Sequence, residues 1–450
     1  MSKNINMTQG NPLKLLFFFA LPLMFGNAFQ QLYTLIDVAI VGQGVGMDAL
    51  AALGTVDWLN WMFLGIAQGY TQGFSVRISQ KYGEGDLQEL KRVVAQSAWL
   101  SFMIAIIGAA VAQFGLPLFL ALLRVPPELT GMASLYSRII MAGFPAVVFF
   151  NYCSSVLRAI GDSKTPLIAM MCAAVTNIVL DLVAVFLLHW GIAGAAIATV
   201  FSQCLSGAIC LIKIFRTKEL HFTKSMFQDS FSLGSNLMKL GTPIAAKNVI
   251  IALGGMGVQT VVNGFSLSFI AGYTATNKLY GLLEIAALSY GYAVTTYVGQ
   301  NHGAMLFDRI RKGVRSAIFQ ALITSVVISA LMLLFGRQIT GLFISSEDLA
   351  LAQAAGDTAY LYLCFMAVCL PVLYLLYIYQ SALQGIGNTM ASMISGSIEF
   401  VLRVGISIIV GFTGYEIGLF GAEVGAWIAA AIFLSICYYR NIKKLKSSLS

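Results

Sequence analysis

VVAQSAWLSFMIAIIGAAVAQFGL, residues 93–116, contains no Asp, Glu, Lys or Arg. As a helix rising about 1.5 Å per residue it is long enough to cross a ~30 Å hydrocarbon core. Lys91 and Arg92 stand immediately before it, and the chain is then uncharged until Arg124. A surface helix of a soluble domain would carry a charged face; this one carries none. Eleven further stretches are nearly as apolar, each with one or two ionisable residues inside it or at its ends. The twelve spans are about 13–41, 50–76, 93–116, 131–157, 165–188, 192–215, 237–263, 268–299, 314–336, 355–383, 389–412 and 417–439. The first is too long for a signal-peptide core and lacks a clear cleavage site, so it reads as a retained helix. Over the 450 residues 58% are hydrophobic and 10% charged, against about a quarter charged in soluble domains, so lipid is the solvent. The 43 glycines suit helices that pack closely without water to drive them together. The fold expected is all-α integral membrane, with two six-helix bundles.

The net charge of +8 does not point to nucleic acid, because its distribution follows the membrane. Lys3, Lys14, Arg77, Lys81, Lys91, Arg92, Arg158, Lys164, Arg216, Lys218, Lys224, Arg309, Arg311, Lys312 and Arg315 fall on one side of a twelve-span chain. Arg440, Lys443, Lys444 and Lys446 join them, while the opposite loops hold Arg124 and Arg337. That is the positive-inside pattern, with both termini cytoplasmic. The expectation is a multi-pass protein of a bacterial plasma (inner) membrane, in contact with lipid and not with nucleic acid, and monomeric. The seven cysteines sit inside apolar runs without zinc-site spacing and read as small packing residues. No Walker A sequence supports ATP-driven work, and no nucleophile or metal cluster supports a membrane-embedded enzyme.

The longest hydrophilic interruption, 216–236, divides the chain into an N-terminal lobe, 1–215, and a C-terminal lobe, 237–450. The lobes repeat one another. Gln80 and Gly83 recur as Gln300 and Gly303, 220 residues later. Gly143–Phe144–Pro145 has a counterpart in Leu370–Pro371, and Leu157–Arg158–Ala159–Ile160–Gly161–Asp162 recurs as Leu383–Gln384–Gly385–Ile386–Gly387–Asn388. Gly194–Ala195 reappears as Gly421–Ala422. Six spans is an even number, so the halves are related by a pseudo-two-fold axis along the membrane normal, with a cleft between them as the default substrate site.

An ionisable residue at membrane depth costs roughly 2.5–3.5 kcal/mol on insertion scales and needs a reason to be there. Asp37 lies in the first span with Tyr33 four residues before it; Asp181 lies in the fifth with Asn177 four before it. Each pair shares a helix face. Thr199 adds a hydroxyl at similar height in the sixth. An all-oxygen set of this kind suits a hard cation such as Na⁺, or a proton shared between carboxylates; packing hydrogen bonds are the bland alternative. Pro22 removes a backbone hydrogen bond in the first span and predicts a kink there. In the C-terminal half Lys247, Lys278, Glu284, Glu399 and Arg403 are embedded, with Glu399 and Arg403 four apart and expected to pair. Lys247, Lys278 and Glu284, with Asp57 in the second span, are candidate lining residues of the cleft.

Over nearly its whole length the chain resembles the multidrug and toxic compound extrusion (MATE) family. The residues that carry the likeness are Pro22 and Asp37, Val41–Gly42, Asp48-Ala49-Leu50-Ala51-Ala52-Leu53-Gly54, Gln80–Lys81–Tyr82–Gly83, and Gly299-Gln300-Asn301-His302-Gly303-Ala304 followed by Arg309. The resemblance implies a secondary active multidrug exporter, antiporting Na⁺ or H⁺ against organic cations or amphipathic drugs by alternating access, with no cofactor beyond the coupling ion. In the DinF-like branch of the family it implies a cation site that falls here on Asp37, Asn177, Asp181 and Thr199. Tyr33 and Asn151 would be polar partners of that site, and the bend of the first helix would centre on Pro22. The NorM-like branch places acidic groups in the seventh and tenth spans, where this chain has no embedded carboxylate. The rival reading of related architecture is a lipid-linked oligosaccharide flippase, which would want cationic groups in the cleft; Lys247, Lys278 and Arg403 favour it.

Overall fold

The computed structural model describes residues 5–220, 231–341 and 349–447. Within them the chain is entirely helical. The first half comprises α1 (Pro12–Gly44), α2 (Met47–Glu84), α3 (Leu87–Leu122), α4 (Pro127–Ala142), α5 (Phe144–Ala159), α6 (Lys164–Leu182) and α7 (Gly191–Arg216). The second comprises α8 (Phe231–Val262), α9 (Leu267–Leu283), α10 (Ile285–Gly303), α11 (Phe307–Gly341), α12 (Leu349–Gly385), α13 (Met390–Thr413) and α14 (Gly418–Ser447). Residues 221–230 of the expected 216–236 linker lie outside the described residues, and α8 already begins at Phe231 rather than 237.

Ten of these helices are individually long and apolar enough to span a bilayer. The expected span 131–157 is broken: α4 and α5 meet at Gly143 with a 42° bend. The cause is local, since Pro145 stands in the first turn of α5 and cannot donate back into α4. The expected span 268–299 is likewise two helices, interrupted at Glu284. Together α9 and α10 run alongside α12, from the Thr276 Oγ1 bond to the Ala359 carbonyl (2.9 Å) to that of Thr295 Oγ1 to the Ser381 carbonyl (3.4 Å). Protein surrounds much of this crossing: Tyr290, Val294, Tyr297 and Gln300 are all buried. Twelve crossings in two six-helix bundles result.

The two bundles meet along α2 and α8 and along α1, α2 and α10. Small residues set the first seam. A Cβ on Gly69 would strike the backbone of Ala245, and one on Gly73 the backbone of Gly241, so the antiparallel helices approach to backbone contact. Helix α1 belongs to both bundles: it packs on α6 and α7 of its own half and on α10 and α11 of the other. Its first turns are tied across the seam by Gln320 Nε2, which donates to the Leu13 carbonyl (2.7 Å), and by Asn27 Nδ2, which donates to Ser289 Oγ (3.1 Å). α1 is one continuous helix through Pro22. Lacking an N–H there, it leaves the Phe18 carbonyl without its helical partner, which marks where α1 can bend at least cost.

Candidate functional site

Asn177 and Asp181 sit one turn apart on α6, whose start is fixed by Asp162: its Oδ1 accepts from the backbone N–H groups of Lys164 and Thr165 (both 3.0 Å). Directly after Asp181 the helix widens into a π-turn, Val183–Leu187, a form common at functional positions. α1 lies along α6 with glycines where the two come closest. Gly26 faces Met170 and Leu167, and Gly44 faces Val185 and Phe186. Between these contacts the Asp37 side chain neighbours that of Asp181. α7 completes the set with Thr199, whose hydroxyl donates to the Ala195 carbonyl (3.1 Å) and lies 3.5 Å from Asn177 Nδ2. Asn177 and Asp181 are 0% exposed and Asp37 8%.

The decisive feature is what these side chains lack. Asp37 Oδ1, Asn177 Oδ1 and both carboxyl oxygens of Asp181 are buried without a hydrogen-bond donor from the protein. Native proteins satisfy nearly all such atoms, so four unsatisfied oxygens in one place set this group apart. Two carboxylates buried side by side repel one another by an amount on the order of a few kcal/mol, which a shared proton or a cation between them would relieve.

Tyr33 stands where its spacing put it, beside Asp37, and also beside Gln203 of α7. Gln203 has a buried, unsatisfied Oε1 and went unnoticed in the sequence, as did Tyr136 of α4, which approaches Asp37 and Asp181. Asn151 donates its Nδ2 to the Val147 carbonyl of its own helix (2.9 Å).

The second half arranges its charges differently. Arg403 binds Glu399 as expected (3.2 Å), but its closer partner is Glu423 of α14 (2.7 Å), which the sequence reading missed. Glu284, at the α9–α10 break, accepts from Tyr377 Oη (3.0 Å). Lys247 of α8 is buried against Gly396 and faces Glu399 and Glu284 without an ion pair among the described residues. Asp57 and Lys278 are exposed and neighbour one another from α2 and α9, opposite sides of the inter-bundle seam. The structure therefore collects Asp37, Asn177, Asp181, Thr199 and Tyr33 in one place, and Lys247 and Glu284 in another.

The model of the MatE family matches residues 22–183 and again 243–409, once in each half. The chain belongs to the MatE family. The double match agrees with the internal repeat, and the MatE family is one of ion-coupled, non-enzymatic membrane transporters. The first match takes in Asp37, Asn177 and Asp181; Thr199 lies beyond it. Among relatives, the probable multidrug resistance protein YpnP of Bacillus subtilis is 28% identical over 444 residues, covering 97% of each chain. The probable multidrug resistance protein NorM of Thermotoga maritima is 25% identical over 426 residues, covering 92% of this chain and 89% of its own. A solved outward-facing structure of a multidrug resistance MATE family transporter superposes with a TM-score of 0.92 at 24% identity, covering 99% of both chains. This MatE chain is thus a multi-pass membrane protein with the MATE fold.

Proposed function

We propose that this chain is a secondary active multidrug exporter, moving organic cations or amphipathic drugs outward in exchange for Na⁺ or H⁺. The observation that carries the coupling is the set of unsatisfied buried oxygens on Asp37, Asn177 and Asp181. The multidrug names of its relatives support the substrate class. Residues 1–215 and 237–450 act as the two moving lobes, both termini are cytoplasmic, the membrane is the bacterial plasma membrane, and the working unit is a monomer. Helix α1 connects ion to motion. Its outer half holds Asp37 against α6; its inner half is tied to α10 and α11; Pro22 lies in the inner half, where bending is cheapest. A cation joining Asp37 to Asp181 pulls the outer half of α1 onto the N-terminal lobe and favours one lobe arrangement over the other. Exposed Asp57 and Lys278, with Glu284 and Lys247 deeper in the C-terminal lobe, line the substrate cleft and set its charge.

The flippase reading loses one of the three cations that favoured it, because Arg403 is held by two glutamates. The test is resistance to cationic drugs in a sensitive bacterial host. Asp37→Asn and Asp181→Asn are each expected to abolish resistance at wild-type membrane abundance; efflux retained by either well-expressed variant would overturn the coupling role.

A further inference from the structure

The repeated Gln–x–x–Gly motifs play no part in the ion site, and their geometry assigns them another task. Gln80 of α2 is buried and donates its Nε2 to the Gly385 carbonyl that ends α12 (3.1 Å). Gln300 of α10 is fully buried and donates its Nε2 to the Ala159 carbonyl that ends α5 (2.9 Å). Gln80 and Gln300 are equivalent positions of the two repeats, and so are Ala159 and Gly385. Each half therefore gives its glutamine to the corresponding helix end of the other half. The glycines make this reach possible. Gly83 lies on the backbone of Gln300, and Gly303 on that of Gln80, so closely that neither could carry a side chain.

One element breaks the symmetry. Ahead of α1, the Ile5 N–H donates to the Gly161 carbonyl in the turn after α5 (3.0 Å). Two residues on, the Met7 N–H donates to Gln300 Oε1 (3.0 Å), while the Met7 carbonyl accepts from Asn301 Nδ2 (3.0 Å) and from Arg309 Nε and Nη2 (3.3 and 3.2 Å). The Met7 side chain is 0% exposed. Residues 5–7 thus form a strap stitched to the N-terminal lobe at one end and to the C-terminal lobe at the other. The glutamine amide is used on both sides: its nitrogen reaches Ala159 and its oxygen holds the strap.

We propose that Gln80 and Gln300 are positioning residues for transport, a reciprocal latch that holds the lobes closed on the face bearing the N-terminus, and that the Ile5–Met7 strap locks it. This rests on the alternating-access reading above. The two glutamine bonds cross between lobes and the strap bridges them, so both glutamine bonds and one end of the strap must release before substrate can enter from that face. None lies within the ion site, and the latch sets how often the closed state opens without altering what the ion binds.

The test uses full-length protein in lipid nanodiscs, native cysteines replaced, with spin labels at positions 88 and 308. Gln88 and Asp308 are exposed, in opposite lobes, eight residues beyond each glutamine. Pulsed dipolar spectroscopy then reads the separation of the lobes. A buried hydrogen bond contributes about 0.5–1.5 kcal/mol net, so Gln80→Met or Gln300→Met is expected to raise the share of the long-distance population about fivefold, and both together further. Deleting residues 1–8 is expected to act in the same direction, and serves if the double variant does not fold. These variants should retain an ion-dependent thermal shift, which a collapse of the fold around the ion site would abolish. Unchanged distances in the folded double variant or in the strap deletion would overturn the latch. Failure of the antiport reading is separate: it would show as loss of ion dependence in the parent itself.

Discussion

Asp181→Asn removes a single charge from the proposed ion site while preserving the shape of the side chain. Asp181 is 0% exposed and both its oxygens lack a protein donor, so the change reads almost purely as electrostatics. At about 4 Å and an effective dielectric of ~20, one carboxylate attracts a monovalent cation by about 4 kcal/mol, and losing it weakens the site by about three orders of magnitude. The same arithmetic relieves a comparable repulsion between Asp37 and Asp181 when no cation lies between them. Two effects of opposite sign follow: the variant melts higher than wild type in ion-poor buffer, and it loses the stabilisation that the bound ion confers on wild type. Thermal unfolding of purified protein reads both, scanned over NaCl with choline chloride holding ionic strength, and separately over pH. Wild type should respond to one of the two ions more strongly than the variant does. A variant with the wild-type ion response, or one that melts lower in every buffer, would refute the reasoning.

Arg403→Leu leaves Glu399 and Glu423 buried without their cation and should cost about 3–5 kcal/mol, seen as a large drop in melting temperature. Lys247→Met should leave stability near wild type, because Lys247 forms no ion pair among the described residues, and should shift resistance toward cationic and away from anionic drugs across a compound panel. Pro22→Ala restores an N–H to the Phe18 carbonyl and stiffens α1; ion-dependent melting should persist while drug efflux falls.

Much of this molecule was legible in sequence because lipid imposes simple rules. Charge-free runs such as 93–116 gave the spans, and basic-residue asymmetry gave an even count. Asn177 and Asp181 could be paired because four residues on a helix define a face. That Asp37 meets them could not be derived from spacing, since it depends on α1 lying against α6 through Gly26 and Gly44, a contact some 140 residues long in sequence. The resemblance supplied that juxtaposition, and the structure supplied its physical content, the unsatisfied oxygens. Glu423 was missed although it obeys the rule that flagged Glu399: an ionisable residue in an apolar span. Gln203 and Tyr136 carry no such mark, because neutral polar side chains at membrane depth are too common to single out. The break at Glu284 has no proline to announce it. Gln80 and Gln300 were visible as a repeat, but their exchange between lobes needs the folded chain.

The most direct test of the central claim is drug movement in proteoliposomes carrying wild type or Asp37→Asn at equal density, under an imposed Na⁺ gradient and then a pH gradient. Wild type is expected to drive drug against its gradient with one of the two ions, and Asp37→Asn with neither. Gradient-driven transport by Asp37→Asn at the wild-type rate would contradict the account.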